Sequence, residues 1–159
     1  MYLLGTDEYI KHIVTQYSQL LLRIAFTRLK STADAEDVVQ EVFLKLMTKP
    51  PQFREAEHEK AWLIRTTINL SCDMLRASFR QSVPLSEDIP APLSEHTLLL
   101  SAVQSLPEKY STVLHLYSYE GYSIKEIARI LKLPAATVGT RLSRARAQLK
   151  LVLEEEEYV

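Results

Sequence analysis

Glycine is scarce in this chain, with 3 among 159 residues. A sheet protein needs many tight turns that favour glycine, so the scarcity argues against an all-β architecture. A single cysteine, Cys72, rules out an internal disulfide and points to a reducing compartment. Apolar runs are short: Leu20-Leu21-Leu22 is stopped by Arg23, and nothing is long enough to span a bilayer. The N-terminus lacks the basic start and long apolar centre of a secretion signal, so a cytoplasmic protein without membrane insertion is expected. Neither sign of charge dominates, with 19 Lys and Arg against 20 Asp and Glu. Attraction to an anionic partner must therefore come from local patches. There is no glycine-rich phosphate loop and no nucleophile elbow, and none of His12, His58, His96 and His115 has a metal-ligand partner four residues on. No cofactor, metal or catalytic residue is expected, although dispersed residues could still assemble in space.

What the chain does have is helical periodicity. Ile10, Ile13, Val14, Tyr17, Leu20, Leu21 and Ile24 recur at helical spacing, which predicts a first helix from Thr6 or Asp7 to Leu29. Ser31, Thr32 or Asp34 can cap a second, with acids crowding its first turn. Val38, Val39, Val42, Phe43 and Leu46 form its inner face, and Asp37, Gln40, Glu41 and Leu44 its outer one. Taken alone, those acids read first as a cap that solubilises the helix, with an acidic docking face for a protein partner as the alternative. Pro50 and Pro51 stop the helix, and residues 48–59 are predicted to be a loop carrying Phe53 and His58.

A third helix is predicted over residues 60–80, with Ile64, Ile68, Cys72, Leu75 and Phe79 inward. Trp62, Arg65, Asn69, Asp73 and Arg76 share another face. A ring for stacking, guanidinium groups for phosphates and an amide for a base edge suit nucleic acid. A core Trp62 and a surface Asp73–Arg76 pair would account for the same residues. Residues 81–94 then lose the helical period, and Pro84, Pro90 and Pro92 stiffen them into a linker at a domain boundary. Fully extended, it reaches roughly 45 Å.

The second half opens with a helix whose inward residues are Leu98, Leu99, Ala102, Val103 and Leu106. Pro107 starts another with Tyr110, Val113, Leu114 and Tyr117 inside, ending near Gly121. Residues 113–119 also fit a strand by type, but the proline start and four-residue spacing favour helix. Residues 123–146 read as a helix–turn–helix. Ser123 and Glu126 make a capping box, and Ile124, Ile127, Ala128 and Leu131 form an apolar stripe. Pro134 ends the first helix and begins a second that buries Val138, Leu142, Ala145 and Leu149. Thr137, Thr140, Arg141, Ser143 and Arg144 are left facing out, in a segment strongly basic for a chain of net charge −1. Such a motif puts its second helix in the DNA major groove, although a plain helical hairpin has the same spacing. The acidic run from Glu154 to Glu157 is expected to fray, because the helix C-terminus disfavours it.

Two stretches resemble one family. DAEDVVQEVFLKL followed by WLIRTTINLSCDMLR is similar to region 2 of bacterial sigma factors of the extracytoplasmic-function class. SLPEKYSTVLHLYSYEGYSIKEIARILKLPAATVGTRLSRARAQL is similar to their region 4, and the order and linker length also correspond. The resemblance implies an all-α fold of two small helical domains. A region-2 domain of three or four helices would span 6–80, a linker 81–94, and a four-helix region-4 domain 95–155.

It also implies roles. Asp37, Gln40, Glu41 and Leu44 match positions that dock on the clamp of the largest subunit of core RNA polymerase, whose flap would meet the C-terminal domain. Phe53 and His58 match a loop that pockets a flipped base of the −10 element, and Trp62, Arg65, Asn69 and Arg76 match the helix along that strand. Thr140, Ser143 and Arg144 match readers of the −35 groove, with Arg141 and Arg146 as phosphate contacts and Thr137 flanking on the same −35 surface. Promoter DNA, core polymerase and an anti-sigma factor are the implied partners. The chain departs from the family at Lys132, where a glycine is usual, so the turn can take a different backbone, and at Ala136, where a glycine usually precedes the threonine. It departs again at Gly139, usually basic, and at Thr66 and Thr67. Two other classes fit the residues alone. One is a stand-alone two-domain regulator with a ligand-sensing first domain, and the other is a helical adaptor or enzyme.

Overall fold

The computed structural model describes residues 7–49, 51–81 and 95–157, and divides into unit 1 (Met1–Glu87) and unit 2 (Asp88–Val159). All regular structure among the described residues is helical. None of these helices is long and apolar enough to cross a membrane. Apart from Gln81, the expected linker lies outside the described residues, as do the side chains of Phe79 and Leu98.

Unit 1 packs α1 (Asp7–Leu29), α2 (Thr32–Thr48) and α3 (Ala56–Gln81) against one another. Ile13, Leu21, Val42, Leu46, Leu63 and Ile64 are fully buried at their meeting point. Each such side chain stabilises the unit by about 1.5–3 kcal/mol. Lys30 closes α1 with a left-handed backbone, φ 61. Ser31 then caps α2, its hydroxyl accepting from the Asp34 N–H at 3.2 Å.

Two expectations for α3 need correction. The helix begins at Ala56, not Lys60, so His58 lies in its first turn. Glu57 and Glu59 favour that turn through the dipole, and the Tyr9 hydroxyl donates to Glu59 Oε2 at 2.8 Å, fastening it to α1. Burial and this hydrogen bond both raise the Tyr9 pKa above its ordinary value. The buried side is also rotated. Ala61, Leu63, Ile64, Thr67, Ser71 and Cys72 are buried, while Ile68 and Leu75 are half-buried. The two hydroxyls are admitted because they bond their own helix, Thr67 to the Leu63 carbonyl and Ser71 to the Thr67 carbonyl, both at 2.8 Å. On α1, Val14 faces solvent.

Unit 2 contains α4 (Glu95–Ser105), α5 (Glu108–Leu114), α6 (Ile124–Leu131) and α7 (Ala135–Glu157). Leu106, Tyr110, Leu114 and Ala145 form a core against which Val103, Leu149 and Val152 pack. Leu99, expected inside, is exposed. The ambiguous 113–119 segment is helical: α5 continues into one π-helical turn, His115–Tyr119. That turn brings His115 Nε2 within 2.8 Å of Glu120 Oε2, and both side chains are buried. Gly121 then exits with φ 80, a conformation that favours glycine.

The helix–turn–helix forms as its signals require, with both halves of the Ser123–Glu126 capping box made at 3.1 Å. Ile127 and Ile130 are the buried residues of α6. Ile124 is exposed, and Ala128 and Leu131 are only half-buried, so the stripe differs from that predicted. Lys132 takes φ 56 and ψ 48, a left-handed backbone that favours glycine. Its N–H, and that of Leu133 at 3.0 Å, both reach the Ala128 carbonyl. The acidic tail stays helical to Glu157, since glutamate's helix propensity offsets the unfavourable dipole.

Candidate polymerase and nucleic-acid interfaces

On α2, Asp37, Gln40, Glu41 and Leu44 are all exposed and lie at helical spacing, away from the buried Val38, Val39 and Val42. Leu44 is 51% exposed, and Met47, three residues on, is 53% exposed. Two open apolar side chains beside carboxylates have no role in the unit's own core. They give a face with charge to select a partner and apolar area to hold it. Met47 was missed in the sequence. Its place one turn beyond Leu44 was the available signal.

The earlier start of α3 lengthens its outer face. His58, Trp62, Arg65, Asn69, Asp73 and Arg76 follow at steps of four and three, so His58 stands one turn ahead of Trp62 on the same side. His58, Asn69, Asp73 and Arg76 are exposed, and Trp62 and Arg65 half-buried. Phe53 meets Trp62 edge-to-face, with ring centroids 6.0 Å apart at 64°. The two rings thus stand together at the surface, braced but not engulfed. Burial lowers the Arg65 pKa from its ordinary value. A partly desolvated guanidinium attracts an anion more strongly than one in bulk water. Asp73 and Arg76 also form the expected pair, with 3.5 Å between Oδ1 and Nη1. Both side chains are about two-thirds exposed, at 67% and 64%, so the pair is weak and easily exchanged.

On α7, Val138, Leu142 and Ala145 are buried and Leu149 half-buried, as the spacing predicts. Thr140, Ser143, Arg144 and Arg146 are exposed, and Thr137 and Arg141 half-buried on the flanks. The Thr140 hydroxyl donates to the Ala136 carbonyl at 3.0 Å. Its hydrogen is therefore engaged, leaving an acceptor oxygen and a methyl group for a base edge. The Arg146 guanidinium lies over the Tyr117 ring, 5.1 Å from its centroid. Tyr117 was expected wholly inside. Only the structure shows its half-buried ring supporting an arginine. A Cβ placed at Gly139 meets nothing within 4 Å, so packing does not demand glycine there.

Among the described residues, no three His, Cys, Asp or Glu side chains gather to hold a metal ion. The polar and aromatic surfaces instead form three helical faces, on α2, α3 and α7.

Known protein families match both parts of the chain. Residues 13–81 match the Sigma-70 region 2 family and residues 96–149 the Sigma-70 region 4 family. RNA polymerase sigma factor SigV of Bacillus subtilis is 31% identical over 150 residues, covering 91% of this chain and 90% of its own length. The ECF RNA polymerase sigma factor SigW of the same organism is 27% identical, covering 95% of this chain and 92% of its own. A similar fold occurs in the sigma factor RpoE of Bartonella quintana, solved with the anti-sigma factor NepR. Its TM-score is 0.76 at 22% identity, over 94% of this chain and 98% of that one.

Proposed function

We propose a division of labour that proceeds from one fact: the chain belongs to the RNA polymerase sigma factors, in the extracytoplasmic-function class. It binds core RNA polymerase and directs that enzyme to promoter DNA. In the reading put forward here, Asp37, Gln40, Glu41 and Leu44, with Met47, dock on the clamp of the largest subunit. The acids orient the encounter, and the two apolar side chains are covered in the complex.

The α3 face takes the −10 element. Extruding a base costs a few kcal/mol, which the binding site must offset. Phe53 and Trp62 supply ring surface for it. His58 and Asn69 supply polar contacts, and Arg65 and Arg76 hold the strand's phosphates. The sigma chain breaks no bond here; it traps a strand that has opened, and acts as a binding protein rather than an enzyme. In unit 2, Thr137, Thr140, Ser143 and Arg144 read the −35 duplex in the major groove, while Arg141 and Arg146 contact phosphates on the flanks. Region 4 would also meet the polymerase flap. An anti-sigma factor is the proposed antagonist, since a similar fold is solved bound to one. The cytoplasm is the expected place of action.

The observation that carries this reading is the exposed Leu44–Met47 pair set among carboxylates on α2, a face built for a protein rather than for DNA. Run-off transcription with purified core polymerase tests it. The wild-type chain should programme core polymerase to initiate at a promoter. Glu41→Lys should lose most core binding in a pull-down while its helical circular dichroism stays unchanged. Wild-type retention of core polymerase by the variant would remove α2 from the docking surface. A stand-alone regulator would instead bind duplex DNA without polymerase and start no transcript.

A further inference from the structure

We propose that Tyr9 and Glu59 are positioning residues: the hydrogen bond between them fixes the first turn of α3 and so sets Phe53 and His58 for the −10 strand, without either partner touching DNA. That turn has no buried apolar side chain of its own. Ala56, Glu57 and His58 are exposed, Glu59 and Lys60 are half-buried, and the first buried side chain of α3 is Ala61. A helix end without buried apolar contacts opens at low cost. The turn begins at Glu55, whose carbonyl accepts from the N–H groups of His58 at 3.1 Å and Glu59 at 3.3 Å. Phe53 lies two residues before Glu55 and reaches across to Trp62. The conformation of this turn therefore decides where both Phe53 and His58 stand.

The contact with α1 anchors it. Tyr9 is 4% exposed, and its hydroxyl donates to Glu59 Oε2 at 2.8 Å. Burial raises the Tyr9 pKa, so the hydroxyl stays protonated and remains a donor. Tyr17 is buried on the same side of α1, and its pKa is raised by burial and then by the Glu59 charge. Glu59 thus faces two rings of α1. A hydrogen bond shielded from water in this way is stronger than an exposed one. Glu59 stands four residues before the fully buried Leu63, and His58 four before Trp62. Holding Glu59 inward therefore turns His58 out to the side of Trp62. The inference rests on the α3 face being the −10 site.

Two conservative variants separate the bond from the packing. Tyr9→Phe keeps the buried ring and deletes the donor, whereas Glu59→Gln keeps an acceptor oxygen. Holoenzyme is assembled from core polymerase and the full chain. It is given the −10 single strand and the closed −35 duplex of a promoter that the wild-type holoenzyme selects from a random library. Tyr9→Phe should bind the strand roughly two- to tenfold more weakly, as loss of one hydrogen bond requires, and the duplex as wild type. Glu59→Gln should bind both as wild type. Trp62 is the chain's single tryptophan, so its fluorescence reports on the α3 face directly. In the free chain, Tyr9→Phe should open Trp62 to quenching by acrylamide, which a role in stability alone would not do. Wild-type strand binding and quenching in Tyr9→Phe overturn the positioning role and leave α3 as the −10 site. Equal losses on strand and duplex overturn it as well. A wild-type holoenzyme that selects no promoter, or binds no −10 strand, overturns both the positioning role and the −10 reading of α3.

Discussion

The outer faces of α3 and α7 are made of different materials. On α3 the rings of Phe53 and Trp62 brace each other, and Arg65 is half-buried beside them. On α7 the outward residues are small hydroxyls and exposed arginines, on a helix whose other side is pinned by Val138, Leu142 and Ala145. The contrast follows from what each face is proposed to hold. An unpaired base offers an apolar ring surface, so its site needs aromatic area held in place beforehand. Closed duplex offers only base edges in a groove, which short hydrogen-bonding side chains on a straight helix can reach. Rings on α7 would have no stacking surface to meet, and hydroxyls on α3 could not offset an extruded base.

The largest expected effect breaks the comparison on the α3 side. Trp62→Ala removes a stacking ring and the brace for Phe53 together, and should weaken holoenzyme binding to a −10 single strand by about 1–3 kcal/mol per stacked base. Binding to closed −35 duplex should not change. Equal losses on both probes would show that the substitution disturbs the whole unit rather than a single-strand site.

The matching experiment on α7 has an effect of similar or smaller size. Arg144→Ala should cost about 1–3 kcal/mol on the preferred −35 sequence if the guanidinium is bidentate to a guanine. The loss should shrink on duplexes altered at that base pair, because the wild-type contact is already absent there. A uniform loss across all sequences would reassign Arg144 to the phosphates, with Arg141 and Arg146.

The two faces also differed in how far they could be read in advance. The helix–turn–helix was legible because backbone rules at single positions announce it: a capping serine with glutamate three on, then a proline that can only begin a helix. Burial was harder where side chains break the apolar pattern. Thr67 and Ser71 are buried because their hydroxyls bond carbonyls of the same helix, which residue type alone does not reveal. Pro50 and Pro51, which stop α2, make residues 48–59 read as a loop with His58 in it. What helps start α3 there is Glu59 tied to Tyr9, a contact 50 residues apart in sequence. The buried His115–Glu120 pair was hidden for another reason. Its partners are five residues apart, and only the π-helical turn between them makes five the spacing that meets. Single-residue signals thus carried the turn and caps, whereas pairs distant in sequence, or irregular in helical period, needed the fold.

The smallest expected effect tests whether α7 shares any of the ring bracing seen on α3. The Tyr117 ring lies beneath Arg146, under the proposed −35 surface. A cation over a ring at such a site is worth roughly 0.5–1 kcal/mol. If the ring steadies Arg146 for a phosphate, Tyr117→Leu should weaken −35 duplex binding by less than about 1 kcal/mol. Tyr117→Phe, which keeps the ring face, should bind as wild type. The decisive measurement is a double-mutant cycle with Arg146→Ala. Once Arg146 is gone, the leucine should cost no further binding, because the ring acts only through the arginine above it. Additive losses in that cycle would make Tyr117 a packing residue alone, and bracing by rings would then belong to the single-strand face only.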